Sequence, residues 1–304
     1  MKEITYCFKE AEKCCFCGAE KQAFKVMGKR MNVPQGYSPN KKIGISTTII
    51  KCKKCGLIFS NPMPVPEKIS DHYGIPAEDY WKPEYFIIPE GYLNSLIQWL
   101  EKLYPPNENT KILDIGAGIG KLMIAFQRNG YDVYGLEPSE PFYKKAIEKT
   151  GISSEKLILS TIEDYEFEPE QFDVIILAAV LEHLYNPNDV IKKLMVGLKP
   201  GGLIFIEVPH SKWLISRILN AFYKVKGLDY VTNLSPMHSP FHLYEFSLQS
   251  FEQNAKINHY KILDYTYYVC ETFMPKILNP LLMPFMKYTK TGMELAIWLR
   301  KPSV

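Results

Sequence analysis

The 304 residues, 46% apolar and 23% charged, are those of an ordinary globular protein with room for one large domain and a small appendage. A formal charge of +3 is too small to argue for nucleic acid by itself. There is no run of about 18 uncharged apolar residues and no apolar stretch after a basic start, so neither a spanning helix nor a signal peptide is expected, and a cytoplasmic location is.

Seven cysteines, several in close pairs, suggest metal in a reducing compartment rather than a disulfide framework. Cys14-Cys15-Phe16-Cys17-Gly18 and Cys52-Lys53-Lys54-Cys55-Gly56 are two Cys-x-x-Cys-Gly knuckles. Each turns tightly and brings its two sulfurs onto one ion. Thiolates from Cys14, Cys17, Cys52 and Cys55 would then close a tetrahedral zinc site, structural rather than catalytic. The bland alternative is a redox pair or cysteines adjacent by chance. Cys15 could replace a neighbour as ligand, Cys7 is extra, and Cys270 sits in an apolar strand pattern that predicts a core position. Between the knuckles, Ile43 to Ile50 reads as a strand. The proline-rich segment Leu57–Pro66 is expected to be an extended linker. Tyr73, Tyr80, Trp81, Tyr85 and Phe86 follow, able to line a pocket mouth or to pack linker on core.

Strand and helix patterns then alternate. Helical spacing covers 92–103, a strand 111–115, a helix from 119 to the C-cap signal Asn129-Gly130, a strand 132–136, and a helix from Ser139 to Gly151. Strands at 156–160, 172–178 and 202–208, with a helix starting at Asn186, complete the alternation. Such a pattern predicts an α/β fold whose parallel sheet binds ligands beyond the carboxyl ends of its strands. The most telling stretch is Lys111-Ile-Leu-Asp-Ile-Gly-Ala-Gly-Ile-Gly-Lys-Leu122, a strand, a glycine-rich turn and a helix start. Glycine allows close approach of the backbone to a ligand, and a helix start offers free amides. A dinucleotide fingerprint would need glycine where Lys121 stands, and a phosphate loop would need Ser or Thr where Leu122 stands. The pattern here is Asp-x-Gly-x-Gly-x-Gly.

That loop, with Leu136-Glu-Pro-Ser139, the segment Phe172 to Leu184 containing Leu-Glu-His-Leu, and Leu198-Lys-Pro-Gly-Gly-Leu-Ile-Phe-Ile-Glu-Val-Pro209, resembles the class I S-adenosylmethionine (SAM) dependent methyltransferases. The resemblance implies a Rossmann-like, mostly parallel sheet of seven strands, the last (294–300) antiparallel beside the fifth. It implies that Asp114 positions the amino-acid end of SAM, that Gly116, Gly118 and Gly120 approach it, and that Glu137, followed by Pro138, accepts from the ribose hydroxyls. Thr161, Ile162 and Glu163 would hold adenine, with Asp164 an alternative; Ala178 and Ala179 would leave room, and Val180 would pack near the methionine chain. His183 is expected as a structural hydrogen-bonder. The N-terminal knuckles resemble a zinc-ribbon-like subgroup of this family, several of whose members act on sugars.

An alcohol acceptor needs a base near neutral pH, and histidine suits it. His242 is favoured, then His210, then His238, with Tyr244 and Glu245 as binders of substrate hydroxyls. The amphipathic stretch 213–226 reads first as a lid over the acceptor, buried against the core, and alternatively as a surface helix on a membrane. The apolar, proline-broken 273–286 is too interrupted to span a bilayer and would join a strand at 261–270 to the last.

The resulting division is a zinc module (1–66), linker and helix (67–108), SAM-binding core (109–209), substrate insertion (210–246) and C-terminal completion (247–304). The expected activity is methyl transfer to a hydroxyl, less so a carbon, of a sugar, nucleotide sugar or related metabolite, with a lipid-linked acceptor and peripheral membrane placement as variants. One rival is an RNA methyltransferase gripping nucleic acid with Lys21, Lys25, Lys29, Arg30, Lys41, Lys42, Lys51, Lys53 and Lys54, without an aromatic stacking motif to support it. The other is a non-catalytic scaffold, against which the intact glycine loop and Glu137 argue.

Overall fold

The computed structural model describes residues 5–30, 47–68, 82–107, 109–234, 242–270, 272 and 274–303. Tyr73, Tyr80, Trp81, His238 and the start of the strand expected from Ile43 lie outside them. In chain order the N-terminal strands are β1 (Tyr6–Lys9), β2 (Phe24–Arg30), β3 (Thr48–Cys52), β4 (Ile58–Ser60) and β5 (Met63–Pro66). The proline-rich linker is extended as its composition requires, yet it is not free. β5 pairs antiparallel with β1, and β4 pairs antiparallel with β3.

The core begins with α1 (Asn94–Leu103), β6 (Lys111–Ile115), α2 (Lys121–Gln127), β7 (Asp132–Glu137), α3 (Glu140–Lys145), β8 (Leu157–Leu159), β9 (Phe172–Ala178), α4 (Pro187–Gly197) and β10 (Leu198–Pro209). It ends with α5 (Leu214–Val225), β11 (Tyr230–Val231), β12 (Tyr244–Glu245), α6 (Leu248–Asn258), β13 (Lys261–Tyr268), α7 (Asn279–Tyr288) and β14 (Glu294–Arg300). Seven strands form one sheet in the order β13-β14-β10-β9-β6-β7-β8. The neighbours from β10 to β8 run parallel, and β14 lies antiparallel between β10 and β13. The parallel strands are those expected from the alternating pattern, and the antiparallel β14 beside β10 is the last strand that the family resemblance implied.

Period-two alternation feeds two cores. Ile175 and Leu177 of β9, Ile204 and Ile206 of β10, and Leu295 and Ile297 of β14 face one side. Val174, Ile176, Leu203, Phe205, Ala296 and Trp298 face the other, beneath α1 and α2. The first core also contains Cys14, Phe16, Cys17, Cys52 and Cys55, so the cysteine knuckles are packed on the sheet domain.

The insertion and the N-terminal strands share a second sheet, ordered β11-β2-β3-β4-β12. β11 adds parallel to β2 and β12 antiparallel to β4. Helix α6 clamps the knuckles from below. Ser247 caps it in a capping box with Ser250, and both hydroxyls donate to the Cys55 carbonyl at 3.1 and 2.9 Å. Asn254, fully buried, donates to the Phe16 carbonyl and to Asn188 Oδ1, both at 2.8 Å, and accepts from the Tyr260 hydroxyl at 3.0 Å.

Two expectations change here. Helix α5 buries only Ile215 and Ser216, while Ile218, Phe222 and Val225 stay exposed, so it is not a buried lid. The segment 273–286 is in part the helix α7, with Leu281 and Phe285 exposed and Met286 buried. Among the described residues no helix is long and apolar enough to cross a membrane.

Replacing Asn254 by Ala would strand the Phe16 carbonyl in a dry interior, while the Tyr260 hydroxyl would keep its bond to the Phe251 carbonyl at 3.0 Å. At roughly 1–3 kcal/mol for the orphaned group, a loss of about 2 kcal/mol is expected in urea unfolding. A change below about 0.5 kcal/mol would show that this clamp does not hold the N-terminal knuckles to the core.

Candidate functional site

The glycine turn leaves β6 and enters α2 through three left-handed residues, Gly116 (φ 72°), Gly118 (φ 57°) and Gly120 (φ 77°). The three do different work. At Gly116 a Cβ would stand 2.6 Å from Val180 Cγ2, and at Gly120 it would collide with Ile152. At Gly118 there is nothing within 4 Å, because this glycine faces open space. That space is a cavity of about 310 Å³ at the carboxyl edge of the sheet.

Glu137 closes β7 against this turn. Its Oε2 accepts from the Gly118 amide at 2.6 Å and its Oε1 from the Ser139 amide at 2.8 Å. The side chain is only 4% exposed. Burial raises its carboxyl to about 7, and the two amides pull the other way. Asp114, at the end of β6, is also buried, and burial followed by the neighbouring charge of Glu137 pushes its carboxyl well above the usual range.

Gly116, Gly118, Glu137, Pro138, Thr161, Ile162, Glu163, Ala178 and Ala179 all line the cavity, together with Val180. Asp114 and Gly120 are not in the lining; Asp114 is buried at the end of β6 and Gly120 packs against Ile152. The Thr161 hydroxyl donates to Asp164 Oδ2 at 2.8 Å, and the Asp164 amide donates back to it at 3.1 Å. Ala179 has a left-handed φ of 55°, where the chain leaves β9, and the residues that follow, Val180, His183 and Leu184, continue the cavity lining. Tyr85 lines the mouth and carries Lys121 Nζ 4.0 Å above its ring.

The histidines separate. His183 lines the cavity, and the ring of His242 packs edge-on against it at 4.9 Å. Beside them Glu182 is 1% exposed, with one oxygen 3.9 Å from His183 Nε2 and the other without a hydrogen-bond partner. Burial lifts its carboxyl to about 8. Ligand atoms of Glu182, His183 and His242 lie within 4.8 Å of one another. His210 is elsewhere, 98% buried against Tyr267, with Nδ1 3.1 Å from the Gly292 carbonyl. Burial lowers it to about 4, and it does not line the cavity. Tyr244 and Glu245 are not available to substrate hydroxyls either. The Tyr244 hydroxyl donates to the Tyr185 carbonyl, and Glu245 accepts from Asn233 and the Leu234 amide. Arg30, counted among the surface cations, is buried and donates to the Leu234 carbonyl.

Sequence reasoning passed over Leu136, Phe142, Ser160 and Leu184, which also line the cavity. It also passed over Glu207, whose carboxyl is raised to about 8 by burial and by its hydrogen bond with Glu294. The signal was present: one glutamate interrupts the apolar run Leu203–Val208.

The four knuckle sulfurs converge as well, with Cys14 Sγ and Cys55 Sγ 3.7 Å apart and Cys17 Sγ and Cys52 Sγ 3.7 Å apart. Cys15 is half-buried beside them, Cys7 is exposed, and Cys270 is half-buried with its thiol 3.5 Å from Glu294 Oε2.

A family model described as a methyltransferase domain matches residues 90–263. The chain is similar to the ubiquinone biosynthesis O-methyltransferase of Bordetella avium, 27% identical over 190 residues that cover 61% of this chain and 76% of the relative. It is 30% identical over 165 residues to the enzyme of that name from Pseudomonas syringae pv. tomato, covering 53% of this chain and 68% of the relative. In fold it is similar to a chain of the complex between the Haloferax volcanii Trm112 methyltransferase activator and a methyltransferase, with a TM-score of 0.51 at 13% identity, covering 77% of this chain and 98% of that one. The matched family region spans more than half of the chain and holds the glycine turn, Glu137 and the whole cavity wall from Gly116 to Leu184, so the chain belongs to the methyltransferase-domain family and is a class I methyltransferase.

Proposed function

We propose that this methyltransferase takes its methyl group from SAM and delivers it to a hydroxyl of a small-molecule acceptor. The observation that carries the donor is Glu137, a buried carboxylate held by the Gly118 and Ser139 amides at the edge of an open cavity. Two amides leave lone pairs on a carboxylate that accepts about four hydrogen bonds, so both ribose hydroxyls can still donate to it. Thr161, Ile162 and Glu163 then edge the adenine, while Ala178, Ala179 and Val180 border the methionine chain.

Methyl transfer from a sulfonium is an in-line displacement, so the protein's work is alignment and exclusion of water. A hydroxyl acceptor must also lose a proton. His242 is the proposed base, packed on His183 at the cavity wall, and His210 is withdrawn from that role by its burial and its Gly292 contact. The relatives' names support oxygen as the methylated atom. A sugar hydroxyl is the narrower reading, resting on the zinc-ribbon resemblance. Radiolabelled SAM with a panel of nucleotide sugars and of phenolic quinone precursors tests it. Label on neither class would remove the O-methyl reading. With an accepted substrate, His242→Ala should cut turnover at least about a hundredfold at unchanged SAM affinity; turnover within a factor of two of the parent would strike His242 from the mechanism.

The raised carboxyl of Glu137 sets a pH dependence. Its folded-state value, about 7, lies above the ordinary glutamate range. Its contribution to the stability of the free protein is therefore present at low pH and lost as pH rises through 7. Ribose hydroxyls prefer the ionised form, so SAM affinity should rise about tenfold from pH 6 to pH 8. Calorimetry would show this slope and its loss in Glu137→Gln; a flat profile in the parent would take the carboxylate out of the donor site.

We also assign a structural zinc ion to Cys14, Cys17, Cys52 and Cys55. Zn–S bonds of about 2.3 Å in a tetrahedron place sulfurs ~3.8 Å apart, and the two measured separations of 3.7 Å agree with that spacing. Plasma emission should find one zinc per chain, and Cys52→Ser should lose it with a marked drop in melting temperature. A metal-free chain that melts no lower than the loaded one would refute the assignment.

A further inference from the structure

A second cavity, of about 390 Å³, lies where β3 of the N-terminal sheet faces the start of α5. It shares no lining residue with the donor cavity. Three cations, Lys51, Lys212 and Arg217, reach it from two elements distant in sequence. Among the described residues none of the three has an ion-pair partner. Glu245, whose charge Lys51 feels, is buried with its oxygens taken by Asn233 and the Leu234 amide. The side chains of Asn220 and Asn233, also in the lining, are hydrogen-bonded to each other at 2.7 Å. Lys51 is held below the usual lysine range by burial, and then by the charges of Lys212, Arg217 and Lys25. Like charges gathered without an acid cost free energy unless an anion joins them.

Two further observations point the same way. Ser211 lines the cavity with only 6% of its surface exposed, and its hydroxyl has no hydrogen-bond partner. A buried hydroxyl without a partner costs about 1–3 kcal/mol, which a ligand oxygen would offset. Helix α5, twelve residues long, starts beside it with no side-chain cap and no acidic residue in its first turn. Its positive end is therefore uncompensated.

We propose that this cavity binds a phosphoryl anion, a phosphate monoester or diphosphate group. Three cations match an anion of two or three charges, Arg217 can engage two oxygens at once, and Ser211 can donate to a third. The volume admits two linked phosphoryl groups. The anion has two sources, a phosphorylated soluble metabolite or a lipid phosphate headgroup. The second is of interest because Ile218, Phe222 and Val225 project from the same helix into solvent.

The test uses the full chain without SAM, so it is independent of the donor reading. Inorganic pyrophosphate is titrated calorimetrically into the parent and into the Lys212→Gln/Arg217→Gln double variant, both substituted side chains being exposed. Binding to the parent that weakens with salt, and is at least about tenfold weaker in the double variant at unchanged SAM affinity, is the expected result. Ser211→Ala should weaken it less, about threefold or more. No binding to the parent at millimolar pyrophosphate, or equal binding to the double variant, would overturn the site. Uridine diphosphate and phosphatidic acid vesicles then separate the sources: displacement of one by pyrophosphate names the soluble ligand, and displacement of the other names the lipid.

Discussion

The contact on which the donor side depends is a carboxylate buried at the end of β7. A glutamate that is 4% exposed can remain there because two backbone amides donate to it. One amide belongs to the glycine turn after β6 and the other to the residue that opens α3. Glu137 therefore fixes two neighbouring crossovers relative to each other, and the cavity is the gap they leave. The same burial keeps its proton affinity high until a ligand arrives. A preformed, partly protonated acceptor of hydrogen bonds has its strongest effect when a hydroxylated ligand completes its shell.

The N-terminal segment has a second kind of dependence. A four-cysteine cluster would ordinarily carry a small unit of its own. Here its sheet is completed on one edge by β11 and on the other by β12, both from the segment after β10. Its second knuckle is bonded to the start of α6 through Ser247 and Ser250, and its first through Asn254. Cross-linking the cysteines by a metal ion would thus order not only the N-terminus but also β12, the strand that begins two residues after His242. That is a physical route from the knuckles to the acceptor side, through a shared sheet.

The acceptor side gathers buried acid. Glu182 and Glu207 lie toward the carboxyl edge of the sheet, each with its carboxyl raised to about 8, by burial in the first place. At neutral pH they are largely protonated, so they act as hydrogen-bond donors as well as acceptors. A polar but nearly uncharged wall suits hydroxyl groups better than anions. The cationic cavity beside α5 has the opposite character.

The chain alone determined the alternating strands and helices of the main sheet and the placement of the glycine turn and Glu137, because these rest on apolar periodicity and on local spacing, while the antiparallel last strand followed from the family resemblance. The cysteine cluster was legible for the same reason: each knuckle is a short-range turn, and only the meeting of the two knuckles is long-range. What escaped was everything set by contacts across distant segments. The linker Leu57–Pro66 is extended by its prolines, but only pairing with Tyr6–Lys9 makes it a strand. Gly120 carries the expected motif yet packs against Ile152, since tertiary packing decides which glycine of the turn faces the cavity. His210 and His242 looked alike as residues, and tertiary burial separated them. The clustering of Lys51, Lys212 and Arg217 had no signal in sequence, because it exists only where a strand near residue 50 is folded against a helix near residue 215.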